Sequence, residues 1–160
     1  MFYNSYECFI VHFLWRYSML EDFSYNNTLL AIFNSIYPAG SKYALEDFFW
    51  FSIEASDGRR VHTRAIKVKS PFYPNRYFLS GGNVHIREIT ELEFKALKFV
   101  DKIGRVSNIE YDSANHIVRG TRLNYEVFEN IENLTEYVRF ITVLDSIYYG
   151  YMAERLLSDE

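Results

Sequence analysis

The sequence of 160 residues contains one cysteine, Cys8, so no disulfide can form within the chain. Disulfides are typical of secreted proteins, so this scarcity favours a reducing compartment and we expect the protein to be cytoplasmic. Glycine (seven) and proline (three) are also scarce. Because the chain has no Pro/Gly/Ser linker and no long repeat, we predict a single domain over residues 1–160.

Long apolar runs are absent as well. The longest run near the N-terminus, Phe9 to Trp15, contains His12 and is far shorter than the ~18 residues that a membrane span requires. No basic residue precedes this run, whereas Glu7 does, which is unlike a signal peptide. We therefore expect neither a membrane span nor a signal peptide.

Motifs that bind cofactors or metals are missing too. Gly81-Gly82 belongs to no GxGxxG or GxxxxGK[ST] pattern, and a tight turn explains both glycines. The candidate metal ligands have no recognised metal-motif spacing; they are Glu54, His62, His85 and His116. We expect no cofactor and no metal.

Aromatic residues, by contrast, are abundant, with 14 Tyr, 14 Phe and 2 Trp. Aromatic side chains dominate the energetics of both protein cores and interfaces. Their number therefore predicts a well-packed core together with a surface that docks onto another molecule, but it specifies no chemistry.

The pattern of apolar and turn residues predicts an α+β fold in the order ααββββαββα. Residues 6–20 favour a helix, although their alternation also fits a strand, and a second helix follows Asn27 and ends before Pro38. Two hairpins are predicted next, residues 48–69 around Asp57-Gly58 and residues 76–89 around Gly81-Gly82.

Three further elements complete the predicted order. Thr90 and Glu93 form a capping box that opens a helix closed by Gly104. A third hairpin spans about residues 105–125, and a long final helix is predicted over residues 133–157 with Asn133 as its N-cap. The strands would make one antiparallel sheet of about six strands, packed by helices.

The charges are distributed unevenly along the chain, which has a net charge of −4. Residues 59–87 contain seven basic residues and no acidic one, whereas residues 126–160 contain eight acidic residues and two arginines. The basic segment is also rich in aromatics. We predict that it forms a partner-binding surface made of Arg60, Arg64, Lys67, Lys69, Phe72, Tyr73, Arg76 and Tyr77.

Two partners suit a basic and aromatic surface of this kind. Tyr and Arg are enriched among the residues that dominate protein interfaces, which favours a protein partner. Single-stranded nucleic acid is the alternative, because cations neutralise phosphates while exposed rings stack on bases. A third interpretation is an ordinary strand whose charged side chains face solvent and whose rings point into the core.

A repeated tetrapeptide suggests a catalytic alternative. Val-His-Thr-Arg at residues 61–64 and Val-His-Ile-Arg at residues 84–87 are each predicted on a strand, where His and Arg share a face. If the two strands were neighbours, His62 and His85 could act as general base and acid while Arg64 and Arg87 stabilise a phosphoryl group. The chain would then be a metal-independent phosphodiesterase, although solvent-facing strand residues are the simpler explanation of the repeat.

These features together favour a non-enzymatic docking protein over an enzyme. A small chain without motifs and rich in interface residues would suit an inhibitor or adaptor of the kind that phages and viruses encode. We expect a protein partner, no membrane association, and a homodimer formed through the apolar C-terminal helix 133–157.

Overall fold

The computed structural model describes residues 42–158 of the chain. The protein divides into two units, one made of residues 1–45 and 69–74 and the other of residues 46–68 and 75–160. Both predicted N-terminal helices, within residues 6–20 and after Asn27, lie outside the described residues. The single domain stays a prediction.

Residues 42–158 form four strands, a helix, three further strands and two helices. The bounds of these elements are β1 Ala44–Glu54, β2 Arg60–Lys69, β3 Arg76–Gly81, β4 Val84–Ile89, α1 Glu91–Ile103, β5 Asn108–Asp112, β6 Ile117–Arg122, β7 Tyr125–Asn130, α2 Leu134–Tyr148 and α3 Tyr151–Ser158.

The first four strands form a sheet in the order β1-β2-β3-β4, and both hairpins predicted in this region are present. The register of β2 and β3 places Ala65 opposite Leu79, and both side chains belong to the hydrophobic core. The tight turn between β3 and β4 requires Gly82, because a Cβ there would lie 1.8 Å from the carbonyl oxygen of His62.

The last three strands form a second, separate antiparallel sheet in the order β5-β6-β7. Gly120 in the central strand lies against Phe99 of α1, and a Cβ at this position would lie 2.3 Å from Phe99 Cζ. A side chain on residue 120 would therefore collide with the buried Phe99 ring. Strand β7 was not predicted, because the loop before it, Leu123-Asn124, carries neither glycine nor proline.

The capping box and the stop signal of α1 are confirmed. Thr90 Oγ1 accepts a hydrogen bond from the Glu93 backbone amide at 3.1 Å, and Glu93 Oε1 accepts one from the Thr90 amide at 3.0 Å. The helix ends at Gly104, whose φ of 70° lies in the region that glycine tolerates best. The buried side of α1 packs on β3, on β6 and β7, and on α2.

The predicted C-terminal helix 133–157 is wrong in one respect, because the chain forms two helices rather than one. Asn133 is the N-cap of α2 as expected, with Oδ1 accepting from the Glu136 amide at 2.9 Å. The helix then breaks at Gly150, which has a φ of 85°. A Cβ on Gly150 would lie 2.5 Å from the Ser56 amide nitrogen, so the break brings α3 close to the turn between β1 and β2.

The core of the larger unit lies between these sheets and helices. Phe99 of α1 and Phe140 of α2 are both fully buried and meet edge to face, with ring centroids 5.4 Å apart. The predicted α+β class with antiparallel sheets is thus confirmed, but residues 42–158 carry seven strands in two sheets instead of about six in one.

Candidate docking surfaces

The two strands that carry the repeated tetrapeptide are not neighbours. His62 and Arg64 lie on β2, His85 and Arg87 lie on β4, and β3 separates the two strands. His62 and His85 therefore do not lie on adjacent strands, as the two-histidine mechanism assumed. His85 is exposed on the outermost strand of the order, and His62 is exposed beside β1.

Trp50 of β1 contacts both the His and the Arg of the tetrapeptide on β2. The rings of Trp50 and His62 stack with centroids 4.9 Å apart and an angle of 11° between their planes. The guanidinium carbon of Arg64 lies 5.2 Å from the Trp50 ring centroid, and Arg64 is only 2% exposed. Arg64 is thus a buried, stacked side chain and not an accessible cation, which corrects its predicted place on the contact surface.

Three other cations of the basic segment form ion pairs across the sheet. The shortest nitrogen-to-oxygen separations are 3.9 Å for Arg60 and Glu54, 3.0 Å for Lys67 and Glu46, and 2.6 Å for Arg76 and Glu88. Burial alone would lower the pKa of Lys67, but the hydrogen bond to Glu46 and neighbouring charges raise it above its ordinary value. The acidic residues come from β1 and β4, so the sheet neutralises a segment that is purely basic in sequence.

Tyr77 lies in the core, contrary to its predicted role in partner contact. Its side chain is 6% exposed and its ring centroid lies 5.1 Å from that of Phe94 on α1. Burial raises the pKa of its hydroxyl above the ordinary value. For Tyr77, the interpretation in which the rings point into the core is correct.

Besides Arg60, which is also exposed, the part of the predicted surface that remains exposed is the loop between β2 and β3. Phe72 is 66% exposed and Tyr73 is 41% exposed, and the preceding Lys69 is exposed as well. Within the same unit, the Lys42 ammonium lies 6.0 Å from the Phe72 ring centroid. Residues 69–74 with Lys42, here called the proline loop because Pro71 and Pro74 flank both rings, combine accessible aromatics with positive charge.

Two further apolar areas are exposed; sequence reasoning missed the first, and the second lies on the C-terminal helix through which a homodimer is expected. Leu123 and Tyr125, at the tip of the β6-β7 hairpin, are 89% and 72% exposed. On α2, Leu134 and Val138 are 63% and 56% exposed, and Tyr149 at its end is exposed too. Asn124, next to Leu123, is a turn-forming residue, but a single Asn marks this turn only once β7 is known.

Residues 42–158 contain no helix of sufficient length and apolarity to span a membrane. Over the same residues, no group of three or more His, Cys, Asp or Glu side chains is arranged to hold a metal ion.

Comparison with known proteins finds no family model that matches the chain, and no curated protein or solved structure is significantly similar to it.

Proposed function

We propose that this protein is a non-enzymatic docking protein, an inhibitor or adaptor that binds another protein through its proline loop. The observation that carries the proposal is the exposure of Phe72 and Tyr73, two adjacent aromatic side chains, beside Lys42 and Lys69. Large rings left in water are unfavourable in isolation and become favourable when a partner covers them.

The proline loop is also suited to binding by its backbone. Pro71 and Pro74 restrict the φ angle on either side of the two rings. A loop that is already restricted loses less conformational entropy when a partner immobilises it. Tyr supplies both an apolar ring and a hydroxyl donor, which is one reason that it is enriched among the residues that dominate protein interfaces.

Affinity capture from the native host, with a Phe72→Ala/Tyr73→Ala variant compared to the native protein, tests this proposal. We expect the native protein to retain a specific partner that the variant loses by about thirtyfold or more in affinity. The double variant should have the same melting temperature as the native protein, since both side chains are exposed. Ile86→Ala, which truncates an exposed apolar residue on β4, is the matched control and should retain the partner.

Binding of nucleic acid at the proline loop would overturn the proposal of a protein partner. A titration with labelled single-stranded RNA and DNA distinguishes the two, because binding through phosphates weakens steeply as salt is added. Tight binding that falls with salt and disappears in a Lys42→Ala/Lys69→Ala variant would assign the proline loop to nucleic acid. Equal capture of the partner by the native protein and the aromatic double variant would remove the loop from the interface.

We propose in addition that the protein forms a homodimer through α2. The support for this is the α2 stripe, defined as Leu134, Val138 and Tyr149, which is exposed on the side of α2 opposite to the buried Phe140, Leu144 and Ile147. The core covers one apolar side of α2 and leaves the α2 stripe exposed to solvent. In a symmetric dimer, the same stripe of a second copy would pack against it.

A further inference from the structure

The tip of the β6-β7 hairpin contains a leucine in a strained backbone conformation. Arg122 pairs with Tyr125, which leaves Leu123 and Asn124 as a two-residue loop. Such loops require a positive φ at the first central residue, where Gly, Asn or Asp are usual. Leu123 has a φ of 54°, and for an ordinary residue the left-handed region costs roughly 1–2 kcal/mol.

The strain at Leu123 is not offset by burial of its side chain. Leu123 is 89% exposed, and Tyr125 on the other side of the loop is 72% exposed. Since a residue such as Asn would relieve the strain and remove an apolar group from water, stability does not explain a leucine here. A strained residue that the fold does not need is a pointer to function.

A cavity of about 510 Å³ opens beside this tip, at the C-terminal end of α1. Its apolar lining consists of Val100, Ile103, Leu123 and Tyr125. The polar lining consists of Asp101, Lys102 and Arg122, of which Arg122 donates from Nη1 to the Ile103 carbonyl oxygen at 3.3 Å. The lining is therefore partly apolar and partly charged, and the cavity is large enough for one bulky side chain.

Positive charge predominates at this end of α1. Lys102, Arg105 and Arg122 form no ion pair with any residue among those described. Arg105 instead lies over the Tyr148 ring, with its guanidinium carbon 5.5 Å from the centroid. Asp101 is the one acidic group on the cavity lining, and burial raises its pKa above the ordinary value.

We propose that this hairpin-tip surface, made of Lys102, Arg105, Arg122, Leu123 and Tyr125, binds an extended acidic segment of a partner protein. One large apolar side chain of the segment occupies the cavity against Leu123, and the carboxylates of the segment meet the three cations, none of which forms an ion pair with a described residue. The charge of the surface selects an acidic ligand, and the apolar lining selects a peptide over a nucleic acid.

A displayed library of random linear peptides, selected on the immobilised full-length protein, supplies the probe. We expect the enriched peptides to carry Asp or Glu next to a large apolar residue. Their affinity should fall by about thirtyfold in Leu123→Asn and in Lys102→Glu. Ile86→Asn and Arg139→Glu make the same changes at exposed positions elsewhere and should leave the affinity unchanged.

The Leu123→Asn variant separates function from folding. Asn tolerates a positive φ, so this variant should be at least as thermostable as the native protein while it binds the peptides less well. Enrichment of peptides without acidic residues, equal binding by the variants, or no enrichment would each overturn the proposal. Binding of labelled single-stranded RNA that both variants abolish would overturn it too, by assigning the surface to nucleic acid. A Phe72→Ala/Tyr73→Ala variant should bind the peptides normally, so this test does not depend on the proline loop.

Discussion

Tyr73 and Tyr77 have the same side chain and lie four residues apart, yet their environments give them opposite roles. Tyr73 lies in the exposed proline loop, whereas Tyr77 on β3 packs against Phe94 and is 6% exposed. Removing a large buried aromatic side chain costs roughly 3–5 kcal/mol of stability, so Tyr77→Ala is a folding variant and gives no information about binding. Only the exposed tyrosine is a suitable probe of the proposed interface.

Glu129 on β7 has a pKa that is set by two opposing effects. Burial raises it, while the nearby cations Lys95, Lys98 and Lys102 lower it, and the balance leaves the pKa above the ordinary value. The folded protein therefore binds the Glu129 proton more tightly than the unfolded chain does. The stability that this group contributes is fully present below its unfolded pKa and is lost as the pH rises through its folded pKa.

We predict that Glu129→Gln stabilises the protein at neutral pH, because the neutral amide avoids the cost of burying the carboxylate. The advantage should shrink as the pH falls and vanish below the unfolded pKa, where native Glu129 is neutral as well. Urea denaturation of both proteins at pH 7 and at acidic pH measures this difference. Glu126→Gln, at an exposed position on the same strand, is the control and should show a smaller effect. A destabilised Glu129→Gln protein at pH 7 would show that attraction to the nearby lysines outweighs the cost of burial.

At the scale of elements, the boundary between α2 and α3 shows how packing decides where a helix ends. The apolar pattern continues through residues 133–157, so the sequence predicts one helix. Gly150 interrupts it with a φ of 85°, and the next residues start a new helix whose Met152, Ala153 and Leu156 are buried. The close approach of Gly150 to Ala55 and Ser56 is possible only without a Cβ.

Two glycine substitutions separate backbone strain from this close packing. Gly150 and Gly58 both have a positive φ, 85° and 89°, but a Cβ on Gly58 would meet no atom within 4 Å. Gly58→Ala should therefore cost only the backbone penalty of roughly 1–2 kcal/mol. Gly150→Ala should cost roughly 1–3 kcal/mol more, because the added methyl group meets the backbone of Ala55 and Ser56. Thermal or urea unfolding of the two variants measures both values, and equal losses would contradict the packing argument.

The strand pairing of the first sheet has an equally direct consequence for charge. Residues 59–87 contain no acidic residue, but three of their cations form ion pairs with glutamates from outside this segment. These glutamates are Glu46 and Glu54 on β1 and Glu88 on β4. A basic run in the sequence is thus not a basic surface in the fold. Among residues 42–158, exposed cations without an ion pair lie at the proline loop, beside the hairpin tip and at Arg139 on α2.

At the scale of the whole molecule, the exposed apolar areas bear on how the protein assembles. The α2 stripe projects Leu134 and Val138 from one side of the helix, and the proposed homodimer would bury both. This stripe is separate in sequence from the proline loop and from the hairpin tip. Assembly and partner binding are therefore open to independent tests.

We predict that Val138→Glu weakens self-association by about tenfold or more, since a buried dimer contact would then have to accommodate a charge in each copy. Sedimentation velocity over a range of concentrations measures the effect. Arg139→Glu changes an exposed neighbour on the same helix and should retain the dimer. A native protein that sediments as a monomer at every concentration would refute the homodimer.

Predictions that depended on neighbouring residues in the sequence were confirmed, whereas those that depended on contacts between distant residues were often wrong. The capping box at Thr90, the cap at Asn133 and the two glycine turns are local signals, and all are present where predicted. Strand β7 was missed because Leu123-Asn124 carries neither glycine nor proline. The predicted partner surface included Arg64 and Tyr77, which are buried. Alternation along a strand indicates two faces but does not say which face is covered.

The sequence by itself determined the α+β class, the order of the elements from β1 to α2 except for β7, and the ends of α1, because caps, turns and periodicity act within a few residues of the chain. Only the tertiary structure decided which cations keep their charge exposed, which aromatics lie in the core, and where the final helix breaks. The physical reason is that burial and ion pairing depend on residues brought together by sheet register and helix packing, as with Lys67 and Glu46 or Tyr77 and Phe94. These contacts join residues far apart in the chain, and no local pattern specifies them.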